Sequence, residues 1–220
     1  SAPRVFTVSG AGNTLLFAAD TDNTGGGNIY LVGTNTFTTS GGAITFGGAS
    51  TTAASYATGY SNSSLAGGGV VFNGAVTMTS SGGNISLRGQ SVVSTDASNW
   101  YGFGVGFING NASINSGTGK IYIEGVTRIN ATGTWRTGVG LGSEGSGAVT
   151  ITSASTAADA IVIIGNASAS ATGAAVTAGV GDRGPGASNV TYNTISTTAG
   201  GGISVTGYGQ TLGTPTATYA

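Results

Sequence analysis

The sequence predicts an all-β chain wound as a parallel β-helix, a single elongated domain over residues 1–220, and three observations predict it. A short phrase recurs along the chain, the phrase follows a longer period, and helix-type spacing is nearly absent. The phrase is a β-branched residue, any residue, a large apolar residue, any residue, then usually Gly.

In chain order it reads Ile29-Tyr30-Leu31-Val32-Gly33, Ile44-Thr45-Phe46-Gly47-Gly48, Val70-Val71-Phe72-Asn73-Gly74 and Ile85-Ser86-Leu87-Arg88-Gly89. It returns as Ile121-Tyr122-Ile123-Glu124-Gly125, Ile161-Val162-Ile163-Ile164-Gly165 and Ile203-Ser204-Val205-Thr206-Gly207. Val149-Thr150-Ile151 and Val190-Thr191-Tyr192 carry it without the Gly. Residues two apart on a strand share a face, so Ile29 and Leu31 point one way while Tyr30 and Val32 point the other. One short apolar face cannot bury itself. Stacking like strands buries a continuous column, which places Ile29, Val70, Val149 and Val190 on one ladder. Gly-alternating stretches separate the phrases, as Gly104-Val105-Gly106-Phe107, Gly138-Val139-Gly140-Leu141 and Gly179-Val180-Gly181.

The spacing gives repeat units of about 29–69, 70–113, 114–148, 149–189 and 190–220, after an incomplete leading coil at 1–28. Two coils of about 20 residues per unit are expected. They make about ten coils and a rod of about 50 Å at about 4.8 Å per coil. An antiparallel sandwich or barrel would also use short strands, but it needs no superposable phrase at a fixed period.

Composition narrows the function. Charged residues are 6% of the chain, against roughly a quarter in ordinary proteins, and Gly fills 43 of 220 positions. A net charge of −1 with six scattered cations offers nucleic acid no basic field. No segment reaches the roughly 18 apolar residues of a membrane-spanning helix, so membrane insertion is not expected. No cysteine is present, which removes disulfides and thiolate metal sites. No histidine is present either, which removes His-based acid–base, triad and zinc chemistry. The acids Asp20, Asp22, Asp96, Glu124, Glu144, Asp159 and Asp182 are mostly far apart, and no spacing pairs two of them as a glycosidase requires. Neither enzyme activity nor a cofactor is expected.

Texture carries a resemblance. Gly-Gly-Asn-Ile-Ser-Leu-Arg-Gly (82–89), Gly-Gly-Ala-Ile-Thr-Phe (41–46) and Gly-Ser-Gly-Ala-Val-Thr-Ile-Thr (145–152) look like the repeats of filamentous-haemagglutinin-type exoproteins. These are bacterial surface adhesins exported by two-partner secretion. The resemblance covers essentially the whole chain and is one of repeat style. It implies a right-handed β-helix, export to the cell surface, and service as a structural stalk or adhesive fibre. The implied partners are host or neighbouring-cell surface glycans or proteins, with end-to-end self-association. The secretion domain of that family carries Asn-Pro motifs, and none occurs here, which implies an interior repeat segment.

Individual residues give smaller expectations. Asp20, Asp22 and Asn23, in Asp-Thr-Asp-Asn-Thr-Gly, form a weak calcium candidate, since alternate carboxylates beside a Gly turn can wrap a hard cation. An ordinary loop uses the same residues. Trp100, Tyr101 and Trp135 stand before the Gly-alternating stretches and could form a platform for sugar rings; this is the alternative reading, a carbohydrate-binding module. Arg88 and Glu124 hold the same place in successive phrases, which predicts an exposed salt bridge worth about 0–1 kcal/mol. Six Asn-x-Ser/Thr sequons are close to the number that chance would supply. Thr77/Thr79 and Thr150/Thr152 suggest the threonine arrays of ice-binding solenoids. With Tyr30, Ser86 and Val162 taken as their equivalents, however, the array is broken.

Overall fold

The computed structural model describes residues 2–19, 26–48, 55–60, 67–92, 102–128, 135–143, 147–167, 176–181 and 193–209. These residues are all-β, with no helix among them. In chain order the strands are β1 (Arg4–Ala11) and β2 (Leu15–Ala18), then β3 (Ile29–Val32), β4 (Asn35–Ser40) and β5 (Ile44–Gly47). After a short β6 (Ala57–Thr58) come β7 (Val70–Asn73), β8 (Val76–Thr79) and β9 (Ile85–Gln90). The next three are β10 (Val105–Ile108), β11 (Ala112–Asn115) and β12 (Ile121–Val126). They are followed by β13 (Trp135–Ser143), β14 (Val149–Ser153) and β15 (Ile161–Asn166), then β16 (Val176–Gly181), β17 (Thr194–Thr197) and β18 (Ile203–Tyr208).

All strand pairs between these elements are parallel, and they build three sheets. Sheet A runs β1-β4-β8-β11-β14-β17, sheet B runs β2-β5-β9-β12-β15-β18 with β6 beside β9, and sheet C runs β3-β7-β10-β13-β16. From β3 onward the chain visits C, then A, then B, and returns to C one strand further along. Each repeat is therefore one circuit of three strands, not the two coils of about 20 residues that the spacing predicts. Six rungs about 4.8 Å apart span about 24 Å from first to last, half the expected length.

The register shows why the period misled. Ile29 pairs with Val70, Val70 with Val105, Val105 with Val139 and Val139 with Val180, all on sheet C. Val149 sits on sheet A beside Ala112, so it does not share that ladder; Val190 lies outside the described residues. The boundary at 113/114 falls inside β11. Strands of sheets B and C carry the same Ile/Val-x-apolar phrase because both bury the same alternation, and sequence alone does not tell them apart.

The inward faces of the three sheets meet in one core. Its first rungs are aromatic: Phe6 stacks on Phe37, Phe17 on Phe46, and Phe72 on Phe107, with centroids 5.1, 4.7 and 5.5 Å apart. Across sheets the same rings meet edge to face, Phe37 against Phe46 at 5.0 Å and Phe46 against Phe72 at 5.3 Å. Later rungs replace Phe with Ile, Leu and Val, as in the buried Ile114, Ile123, Leu141, Ile151 and Ile163. Tyr30, Val71, Phe103 and Ile108 form a smaller cluster outside sheet C.

The corner between sheets A and B repeats a buried hydroxyl. Ser80 Oγ donates to the Gly83 carbonyl at 2.5 Å, Ser116 Oγ to Gly119 at 2.6 Å, and Thr197 Oγ1 to Gly201 at 2.8 Å. Thr39 makes the matching bond to Gly42. These bonds satisfy carbonyls that leave the ladder where the chain turns.

Candidate functional site

Outward-facing residues of sheet B converge on one carboxylate. Arg88 on β9 and Glu124 on β12 are register partners, as their shared place in the phrase predicts. Arg88 Nε donates to Glu124 Oε2 at 2.9 Å and Nη2 to the same oxygen at 2.5 Å. Tyr122, two residues before Glu124 and on the same face, donates its hydroxyl to Oε2 at 2.9 Å. Tyr56, from the segment after β5, donates to Oε1 at 2.5 Å. The Arg88 guanidinium also lies over both rings, 4.9 Å from the Tyr56 centroid and 5.6 Å from that of Tyr122.

The pair is therefore not the exposed bridge that its position on an outer face suggested. Its side chains are 15% and 16% exposed, because the two tyrosines flank it. Burial pushes the Tyr56 hydroxyl up to about 12, with its bond to Glu124 adding to the effect. Burial raises Tyr122 as well, again helped by Glu124. For Glu124 burial alone would raise the carboxyl, but the bonds from Tyr56, Tyr122 and Arg88 outweigh it and hold it below its ordinary value. Burial would lower Arg88, and Glu124 more than compensates. A carboxylate that accepts from three side chains and is held ionised is a fastener. Here it ties the 55–60 segment onto sheet B across two strands.

Tyr56 is the member that sequence reasoning missed. It stands 68 positions before Glu124, in a connection whose length matches no other, and only the circuit geometry brings it across.

Asp159, the other described acid, takes a different cation, with Lys120 Nζ 2.6 Å away and both side chains largely exposed. Glu124 and Asp159 are thus held by separate partners and form no acid pair. Arg136 on β13 is fully buried, and burial lowers its pKa. Among the described residues no three His, Cys, Asp or Glu side chains gather around a metal position. No helix among them is long and apolar enough to cross a membrane. Asp20, Asp22, Asn23, Trp100 and Tyr101 lie outside the described residues. Trp135 opens β13, where its backbone pairs with Val176, and its side chain also lies outside them.

Comparison with family models, curated proteins and solved structures finds no match for the chain.

Proposed function

We propose that this winding is a parallel β-helix, right-handed as nearly all parallel crossovers are, and that it serves as a non-catalytic stalk or fibre segment of a bacterial surface adhesin. One observation carries the reading: the core stays open, in register, at the last described circuit. Ile203 and Val205 pair with Ile161 and Ile163, which are fully buried, yet are themselves 44% and 48% exposed. A further circuit, from the same polypeptide or from a second molecule, would bury them and pair the edge of β17 and β18 that has no partner strand among the described residues. Near-neutral charge leaves little repulsion between stacked units. A rigid rod of this kind extends a binding end away from a cell, and host or neighbouring-cell glycans or proteins are its proposed partners.

Electron microscopy and sedimentation of the purified chain test the reading. Rods lengthening with concentration are expected, and Ile203→Lys/Val205→Lys should stop the growth while leaving the circular dichroism unchanged. Compact monomers at every concentration, with saturable binding of a soluble glycan, would replace the fibre by a carbohydrate-binding module.

A further inference from the structure

The outer face of sheet A carries a regular array that alignment by phrase had hidden. Tyr30 belongs to sheet C, and Ser86 and Val162 to sheet B, so none is equivalent to Thr77 or Thr150. The true register partners run Val5, Thr36, Thr77, Ser113, Thr150, Thr194 in one column. The second column runs Thr7, Thr38, Thr79, Asn115, Thr152, Ser196. Eight of these twelve positions are Thr, two are Ser, and none is charged.

From Thr36 to Ser196 the register continues without a shift. Thr77, Ser113, Asn115, Thr150 and Thr194 are exposed, and Thr36, Thr38, Thr79, Thr152 and Ser196 are half-buried. The face is thus a grid with rows about 4.8 Å apart and columns about 6.6 Å apart. Each threonine adds one hydroxyl, which both donates and accepts, and one methyl. High strand propensity explains a threonine on any one strand. It does not explain the contrast with sheet B, whose outer columns mix Thr45, Ser86, Tyr122, Val162 and Ser204 with Arg88, Glu124, Ile164 and Thr206. Parallel sheets are usually covered on both faces. Here one face is left open and uniform.

We infer that this face binds a lattice of ordered water, the surface of ice. Chemistry selects the occupant. A charged polymer would need charge, and the grid holds none. A sugar chain would need aromatic platforms, and none of the twelve positions is aromatic. An apolar partner would need a continuous apolar patch, and hydroxyls interrupt it everywhere. A repeating layer of neutral donors and acceptors at similar spacing remains, and ice offers repeat distances close to both grid spacings. Each threonine methyl offers water no hydrogen bond, so water beside it bonds to the hydroxyls and to other water.

The experiment grows ice slowly from a solution of the labelled chain and measures the fraction incorporated, together with the growth of small ice crystals on annealing. Enrichment in ice and arrested crystal growth are expected. Thr77→Tyr/Thr150→Tyr should reduce incorporation at least tenfold. Tyrosine suits strands, so the melting curve should hold; should that variant fail to fold, Thr150→Tyr alone is read the same way. Ser204→Tyr, outward on sheet B, should incorporate like the parent. Exclusion of the parent chain from ice overturns the inference, as does equal loss in the sheet A and sheet B variants.

Discussion

Two corners of the same circuit obey different rules. At four turns between sheets A and B a hydroxyl bonds a carbonyl within the turn, at Thr39–Gly42, Ser80–Gly83, Ser116–Gly119 and Thr197–Gly201. Between sheets B and C the connections are residues 19–28, 48–69, 91–104, 127–134 and 167–175, all of different length. Yet the variable corner is pinched at its base. A Cβ added at Gly125 would fall on the Gly138 carbonyl oxygen, and one at Gly89 on that of Gly104. Gly165 stands against Gly179 in the same way. The final Gly of the phrase and the first Gly of the alternating stretch are thus two sides of one contact. Because that contact closes the 91–104, 127–134 and 167–175 connections, their lengths are free to drift. One corner is fixed by what it contains and the other by what flanks it.

Breaking the pinch should have the largest effect. Gly125→Val puts a branched side chain against the backbone of β13 at Gly138 and of β10 at Val105, across the corner, with no flexible atom to give way. The expected loss is about 3 kcal/mol, a fall of roughly 6–12 °C in the thermal midpoint for a domain of this size. A midpoint within 2 °C of the parent would show that the columns separate easily.

At the constant corner the effect should be smaller. Ser80→Ala removes one hydroxyl bonded to the Gly83 carbonyl and, at 3.2 Å, to that of Ser116, all in a buried site. About 1–2 kcal/mol is expected from denaturant titration with an unchanged slope. Lengthening the 91–104 connection by a few Gly-Ser residues should cost less again, under about 0.6 kcal/mol, because loop-closure entropy grows slowly with length. The same insertion between Gly82 and Gly83 should cost more, up to about 2 kcal/mol, because it pulls apart the Ser80–Gly83 bond. Equal costs at the two places would erase the distinction between the corners.

Much of this was legible from the residues. The phrase located β3, β5, β7, β9, β12, β15 and β18, and the alternation within it assigned Phe46, Leu87, Ile123 and Ile163 to the core. Sheet A was read poorly because Asn35-Thr36-Phe37-Thr38 and Ala112-Ser113-Ile114-Asn115 begin without an aliphatic residue and end without Gly. Their first inward places hold the buried Asn35 and the small Ala112, so they escape a search for Ile and Val. With most of sheet A missing from the phrase, Val149 on β14 falls in line with Ile29 and Val70 of sheet C. Register alone found Arg88 and Glu124. Tyr56 had no such route, since its contact crosses the variable corner, where sequence spacing carries no positional information.

That contact gives the sharpest test of how the variable corner is fastened. Beside the short backbone pairing of β6 with β9, the Tyr56 hydroxyl on Glu124 fastens this connection. Tyr56 is held protonated up to about 12, above its ordinary value of 10.0, so the folded state keeps its proton more tightly than the unfolded state. The stability this provides is complete below pH 10 and is lost as pH rises through about 12. Tyr122 shifts in the same direction and contributes to the same decline. Glu124 has the opposite sign: held low, its contribution is present above the unfolded carboxyl's value and disappears as acid protonates it in the folded state. Tyr56→Phe keeps the ring over Arg88 and removes only the hydroxyl. It should cost about 1 kcal/mol at neutral pH and flatten the alkaline decline without abolishing it, since Tyr122 remains. Parallel stability profiles for the two proteins between pH 10 and 12 would mean that the hydroxyl is not held by Glu124 in solution, and that β6 pairing and ring contact hold the 55–60 segment to sheet B without it.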